Sequence, residues 1–273
     1  MVRGAYFKWK ITRLCGRSPV IRLPGAAQVA ATDKFNDYYA IHVQHPSEDE
    51  FRTYKDLLSP GGVFVDVGAN MGLTTVLAWK TGLASQIIAF EPTHRYAAVW
   101  HANIGRNGVK NAALYQCATG DKPGTFEFVI DPEAPLHNRL LLGGTLDRYE
   151  PEPNSQRVVE SIRLVRLDDI LSACGVSEVQ LLKVDVEGAE PSVLRGAERL
   201  LARRAIKNIL IEFIPEYMEE MGESIEVYVD HLIQYGFRFR AIEPDGSSRR
   251  HLSKDDLLHR RFVGLNIIAE LIE

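Results

Sequence analysis

A chain of 273 residues is long enough for one large domain, and its 45% hydrophobic and 25% charged composition excludes a disordered or fibrous protein. With 32 basic and 36 acidic residues the net charge is −4, which argues against broad nucleic-acid binding, because neutralising phosphates needs a basic face. Three cysteines (Cys15, Cys117, Cys174) with no CxxC pair exclude a disulfide scaffold and a zinc cluster, and fit a reducing, cytoplasmic setting.

Residues 1–46 are expected to form an N-terminal extension, ahead of a single domain over residues 47–273. In that extension Arg3, Lys8, Lys10, Arg13, Arg17 and Arg22 all precede the first acidic residue, Asp33. They read as a solvated terminus, or as a contact to an anionic substrate or a membrane surface. Lys8, Lys10, Arg13 and Arg17 interrupt what would be the apolar core of a signal peptide. No later segment reaches the roughly 18 apolar residues that span a bilayer, so a soluble chain is expected.

From residue 61 strands and helices alternate. Short apolar runs at 63–67, 86–90 and 113–118 predict strands, separated by helices over 73–80 and about 93–107. Strands are also expected at 125–130 and 160–167, around a loop over 131–156. Pro132, Pro135, Pro151 and Pro153 with Gly143-Gly144 prevent that loop from forming a long helix or central strand, and it reads as a substrate-facing flap or a mobile insertion. The alternation resumes with a strand at 179–184, a helix over 190–203, a strand at 207–213 and an amphipathic helix over 225–235 ending at Gly236. Terminal antiparallel strands follow at 237–242 and 265–271. The sum is an α/β fold with a seven-stranded, mostly parallel, doubly wound sheet.

Ligands of such sheets bind beyond the carboxyl ends of the strands. The first of these ends carries Asp66-Val67-Gly68-Ala69-Asn70-Met71-Gly72. Gly68 and Gly72 permit close backbone approach, and Asp66 can accept a hydrogen bond from a cationic or N–H-bearing ligand. A dinucleotide site would want GxGxxG facing a pyrophosphate, but Asn70 stands where the second glycine would be. Glu91, before Pro92 at the end of the second strand, can take both hydroxyls of a ribose. Together these residues favour S-adenosylmethionine over NAD.

The later segment Lys183-Val184-Asp185-Val186-Glu187-Gly188-Ala189-Glu190 runs apolar residues straight into acids, whose burial is costly without pairing or a ligand. Glu190, in the first turn of the next helix, is accounted for by the helix dipole. With these pieces on hand, the sequence resembles the FkbM-type methyltransferases. The resemblance rests on Asp66-Val67-Gly68-Ala69-Asn70-x-Gly72, Phe90-Glu91-Pro92, Asn103 with Asn107-Gly108, Ala118-x-Gly120-Asp121-x-x-Gly124, Arg166-Leu167-Asp168-Asp169-Ile170 and Lys183 to Glu190, in order over about residues 48–214. It implies a class I Rossmann-like methyltransferase, usually one that O-methylates natural products or carbohydrates. It also implies that Asp66, Gly68 and Asn70 hold the methionine part of S-adenosylmethionine and Glu91 the ribose, with Ala69, Gly72 and Pro92 among the cofactor-binding residues. Cys117 and Ala118 would border the adenine, and Asp185 would lie near the sulfonium. The residues upstream of 47 and the 131–156 loop match no family pattern and are expected to shape the acceptor site.

Methyl transfer to an alcohol is helped by a base. Asp185 and Glu187 are expected to position cofactor and acceptor, with Glu212 in Ile211-Glu212-Phe213 as the candidate base. His42, His45, His94 and His137 each read first as a solvated surface histidine, and His137, in the long loop, is the strongest of them as a candidate base. Asp185, Glu187 and Glu212 could also take Mg²⁺, an alternative that no DxD-type doublet favours. Lys183 reads as a core-edge charge paired with one of these acids. The expected acceptor is a small molecule or sugar, with no nucleic-acid partner and no membrane span. A catalytically silent cofactor-binding scaffold and an NAD-dependent oxidoreductase are the competing readings.

Overall fold

A computed structural model of the chain describes residues 8, 10, 20–30, 48–130, 139–140, 158–242, 250–259 and 266–272. A hairpin of β1 (Val20–Arg22) and β2 (Gln28–Ala30) precedes α1 (Glu48–Leu57). Then β3 (Gly62–Val67), α2 (Leu73–Lys80), β4 (Ala84–Phe90), α3 (His94–Arg106) and β5 (Ala112–Tyr115) alternate. Four further strands follow: β6 (Ala118–Thr119), β7 (Gly124–Ile130), β8 (Arg139–Leu140) and β9 (Val158–Val165). The chain continues through α4 (Leu167–Ala173), β10 (Val179–Val184), α5 (Glu190–Arg195), α6 (Glu198–Ala202) and β11 (Ile206–Glu212). It closes with α7 (Pro215–Glu220), α8 (Ile225–Gln234), β12 (Phe237–Ala241), β13 (His251–Leu252), α9 (Lys254–Leu258) and β14 (Asn266–Leu271).

The main sheet runs β13-β12-β14-β11-β10-β3-β4-β5. The five strands β11, β10, β3, β4 and β5 are parallel, with β5 at one edge, and β14, β12 and β13 add antiparallel pairs at the other. Apolar side chains alternate to the two faces, as pleating requires. Val65, Val67, Ile88, Phe90, Leu182 and Val184 join the core on one face, with residues of α4, α5, α6 and α8. Phe64, Ile87, Ala89 and Leu181 join the other, with the N-terminal hairpin, α1, α2 and α3. Both faces are therefore covered, and the sheet is doubly wound as expected. After β3 the chain builds outward through β4 and β5, then returns to add β10 on the opposite side of β3. That reversal opens a crevice between the carboxyl ends of β3 and β10.

Three expectations change. The sheet has eight strands rather than seven, because the two-residue β13 extends the β12 edge. The strand expected at 113–118 is two strands. Cys117 N donates to Tyr115 O at 2.9 Å, a turn that ends β5 and sends β6 into a second sheet of order β6-β9-β7-β8. The helix expected over 190–203 breaks into α5 and α6 at Gly196. A Cβ there would sit 2.4 Å from Gly120 O, so this turn packs directly on the backbone ahead of β7.

Of the region upstream of 47, the described residues 20–30 dock on α3. Asn103 acts as a strand partner for β2, accepting from Ala30 N at 2.7 Å and donating to Ala30 O at 3.1 Å. Asn107, one helical turn later, repeats this with the backbone of Gln28. Ile21, Leu23, Ala27 and Val29 are buried in the same apolar cluster as α1 to α3. Of the 131–156 loop, only β8 lies within the described residues, paired antiparallel to Phe128 and Val129. The flap expectation otherwise falls outside them, as do His42, His45 and His137.

Candidate functional site

Four acidic residues lie at the carboxyl ends of neighbouring strands: Asp66 in β3, Glu91 just after β4, Asp185 just after β10 and Glu212 at the end of β11. Between β3 and α2 the backbone turns through left-handed angles at Gly68 (φ +79°), Asn70 (φ +46°) and Gly72 (φ +88°). Gly68 is sterically required, since a Cβ there would lie 1.9 Å from Asp185 O. Gly72 leaves room for the Trp100 ring, whose Cδ1 would be 3.0 Å from a Cβ at that position. The loop is braced from α3, where Asn103 Nδ2 donates to Met71 O at 2.8 Å and Trp100 Nε1 to Thr75 Oγ1 at 3.0 Å.

Asp66 points inward and is fully buried. Its Oδ2 accepts from Thr74 and Thr75 at 2.7 and 2.5 Å, tying the strand end to the first turn of α2. Its Oδ1 and the Asn70 Oδ1 have no hydrogen-bond partner among the described residues. Buried acceptors in that condition are rare and cost free energy, so both oxygens fit a site that takes an N–H-bearing or cationic group. Glu91 accepts from Thr93 N and Oγ1 on one oxygen and from Asn70 N on the other. Burial raises its pKa, against the pull of those bonds. The Glu91 carboxylate thus holds the loop at Asn70 and keeps acceptor capacity at the end of β4. Pro92 adjoins it, while Ala69 is buried beneath the loop. Beyond β5, Cys117 is buried, with its thiol pushed up to about 11 by that burial, and Ala118 is half-buried.

Lys183 lies opposite Asp66 in the β3–β10 register. Its Nζ is 2.9 Å from Asp185 Oδ2, 3.4 Å from Gly68 O and 3.9 Å from Asp66 Oδ1. Burial alone would lower its pKa, but Asp185 and Asp66 outweigh burial and hold the ammonium charged. Burial likewise opposes ionisation of Asp185, yet Lys183 and a hydrogen bond with Glu212 keep it below the ordinary carboxylate range. Glu212 is the opposite case. Burial, followed by the charges of Asp185 and Glu187, pushes it up to about 10. Two neighbouring carboxylates with divergent pKa values divide one proton between them. At neutral pH Glu212 carries that proton, so it can act as the expected base only after releasing it. Ligand oxygens of Asp185, Glu187 and Glu212 all lie within 4.8 Å of one another, a donor set chemically suited to a hard cation.

The structure therefore brings Asp66, Gly68, Asn70, Gly72, Glu91, Asp185, Glu187 and Glu212 to one end of the sheet. His94 is drawn away to Gln116 at 2.7 Å. Lys183 pairs with an acid as expected, Asn103 stands in the sequence only as a motif residue, and the sequence assigns the Thr74-Thr75 pair no role. The signal for the threonines was present: two hydroxyl residues two and three positions after Gly72, where a helix first turn faces the strand-end acid.

Residues 66–239 match the methyltransferase FkbM domain family. The chain is 30% identical over 161 residues to the 31-O-demethyl-FK506 methyltransferase FkbM of Streptomyces tacrolimicus, covering 52% of this chain and 61% of that protein. It is 26% identical over 152 residues to the 2-O-methyltransferase NoeI of Sinorhizobium fredii, covering 54% and 62%. The matches span about three-fifths of the length of these curated relatives. The crystal structure of a methyltransferase FkbM from Methylobacillus flagellatus is 15% identical, with a TM-score of 0.48 over 88% of this chain and 56% of that one. No helix among the described residues is long and apolar enough to cross a membrane. With residues 66–239, well over half of its length, matched, the chain belongs to the FkbM methyltransferase family.

Proposed function

We propose that this protein is an S-adenosylmethionine-dependent methyltransferase acting on a hydroxyl oxygen of a small molecule or carbohydrate. The observation that carries this reading is the row of acids at adjacent strand ends around the left-handed loop from Gly68 to Gly72. Bound S-adenosylmethionine would supply an activated methyl group on a sulfonium; the chain supplies binding, orientation and electrostatics. Asn70 and the backbone of Gly68, Ala69 and Gly72 would hold the methionine part, with Asp66 acting from beneath the loop. Glu91 and Pro92 would take the ribose side, and Cys117 and Ala118 would border the adenine. Asp185, ionised beside Lys183, would face the sulfonium and orient the acceptor hydroxyl, with Glu187 at its side.

The printed names of two relatives, a 31-O-demethyl substrate and a 2-O-methyltransferase, support oxygen as the methylated atom. The net charge of −4 supports a small acceptor over nucleic acid, and the scarce cysteines a cytoplasmic setting. A second reading adds Mg²⁺. The clustered oxygens of Asp185, Glu187 and Glu212 would exchange the Glu212 proton for the cation, which would acidify a coordinated hydroxyl.

The test is transfer of labelled methyl from S-adenosylmethionine to a panel of hydroxylated metabolites and sugars, with Mg²⁺ or with chelator. Label in an ether-linked methyl group supports the reading. Binding of S-adenosylmethionine without transfer to any acceptor favours the silent scaffold, and preferential binding of NAD favours the oxidoreductase. Activity lost with chelator and restored by Mg²⁺ selects the metal-assisted form.

A further inference from the structure

The helix dipole does not account for Glu190. The side chain is buried to 1% exposure, where a carboxylate forfeits its hydration, and burial pushes its pKa up to about 7. Its Oε1 accepts from Val186 N at 3.0 Å and from Gly188 N at 3.4 Å, closing a ring around Glu187. Glu187 itself is in the left-handed region at φ +56°, which a residue with a side chain adopts at a cost. The following Gly188 has φ +102°, and a Cβ there would lie 2.5 Å from Tyr217 O in α7. The other Glu190 oxygen and the Tyr228 hydroxyl of α8 are buried without hydrogen-bond partners among the described residues. A side chain serving only as a helix cap would not need this depth. What it does hold is the turn whose first and third residues, Asp185 and Glu187, belong to the carboxylate cluster.

We propose that Glu190 is a positioning residue that clamps the Asp185–Gly188 turn and so sets the Glu187 carboxylate beside Asp185. The role depends on an acceptor oxygen at the right reach, not on charge. This rests on the reading that the cluster faces the donor's sulfonium. The negative field there should favour the cationic S-adenosylmethionine over neutral S-adenosylhomocysteine, so the ratio of their affinities reports where Glu187 sits.

The experiment measures that ratio by titration calorimetry in the parent, in Glu187→Gln, and in three substitutions at 190. Glu190→Gln keeps the acceptor and loses the charge. Glu190→Asp keeps the charge and loses the reach, and Glu190→Met keeps the volume and loses the acceptor. The expected result is that Glu187→Gln, Glu190→Asp and Glu190→Met each lower the preference for S-adenosylmethionine by about threefold or more, while Glu190→Gln retains the parent ratio. A ratio that follows charge (shifted in Glu190→Gln, unchanged in Glu190→Asp) overturns the clamp, and the Asp and Gln variants decide this even if Glu190→Met does not fold. Ratios equal to the parent in every folded variant at 190, while Glu187→Gln shifts, likewise overturn it. A parent that binds neither molecule defeats the cofactor reading itself, and this inference with it.

Discussion

Replacing Glu212 with glutamine probes the proton that the carboxylate cluster shares. In the folded chain Glu212 titrates at about 10, against an ordinary value of 4.5, because burial and the charges of Asp185 and Glu187 disfavour its ionised form. At neutral pH the unfolded chain has this group ionised, and folding must put a proton back on it. The folded state therefore binds more protons than the unfolded one between these two values, and stability falls as pH rises across that window. At pH 7 the interval above 4.5 is worth about 3 kcal/mol against the fold. Glutamine is neutral at every pH and keeps an N–H donor toward Asp185, so Glu212→Gln should be more stable than the parent by up to about 3 kcal/mol at pH 7. The gain should vanish near the ordinary carboxylate value and grow by about 1.4 kcal/mol per pH unit above it. Denaturant unfolding of parent and variant from about pH 5 to pH 9 measures this directly. Parallel stability–pH curves for the two proteins would refute the assignment of the proton to Glu212.

Glu91→Ala removes the carboxylate that holds Asn70 N and is proposed to take the ribose; calorimetry should show at least about tenfold weaker binding of S-adenosylhomocysteine, with the fold retained. Gly68→Ala drives a methyl into Asp185 O and strains a left-handed residue, so its product should bind no cofactor and unfold at a clearly lower temperature than the parent. Asn103→Leu leaves Met71 O and the Ala30 backbone unpaired in the core, which should cost about 2–4 kcal/mol in denaturant unfolding and weaken cofactor binding through the loop. If Mg²⁺ enters the cluster, its presence should lower the Glu212 pKa and raise parent stability at alkaline pH, an effect absent from Glu212→Gln; identical melting with Mg²⁺ and with chelator excludes the metal.

Four of the five parallel strands were legible as short apolar runs ending in a glycine or an acid (β5, Ala112–Tyr115 before Gln116, is the exception), and the sheet's two buried faces leave little choice of residue. The acids at the strand ends were legible for the same reason, as charges interrupting apolar runs. What escaped were features made by contacts between distant segments. The break at Gly196 is set by the backbone of Gly120, 76 residues earlier in the chain. The split between β5 and β6 is the exception, a local turn from Tyr115 to Cys117. Asn103 stands out in the sequence only as part of a motif with Asn107-Gly108, and the fold reveals what it does there, bridging β2 to the loop at Met71. Glu190 illustrates the limit most clearly. Its position four residues after Val186 suits a helix first turn, whereas its burial and its bonds to Val186 N and Gly188 N are seen only in the folded chain.

A crystal structure with S-adenosylhomocysteine bound tests the central claim most directly. The account predicts the ribose hydroxyls at Glu91, the amino-acid end over the turn from Gly68 to Gly72, and the sulfur facing Asp185 with open volume beside it for an acceptor. Adenosine density away from Glu91, or a sulfur pointing away from the Asp185–Glu212 pair, would contradict it.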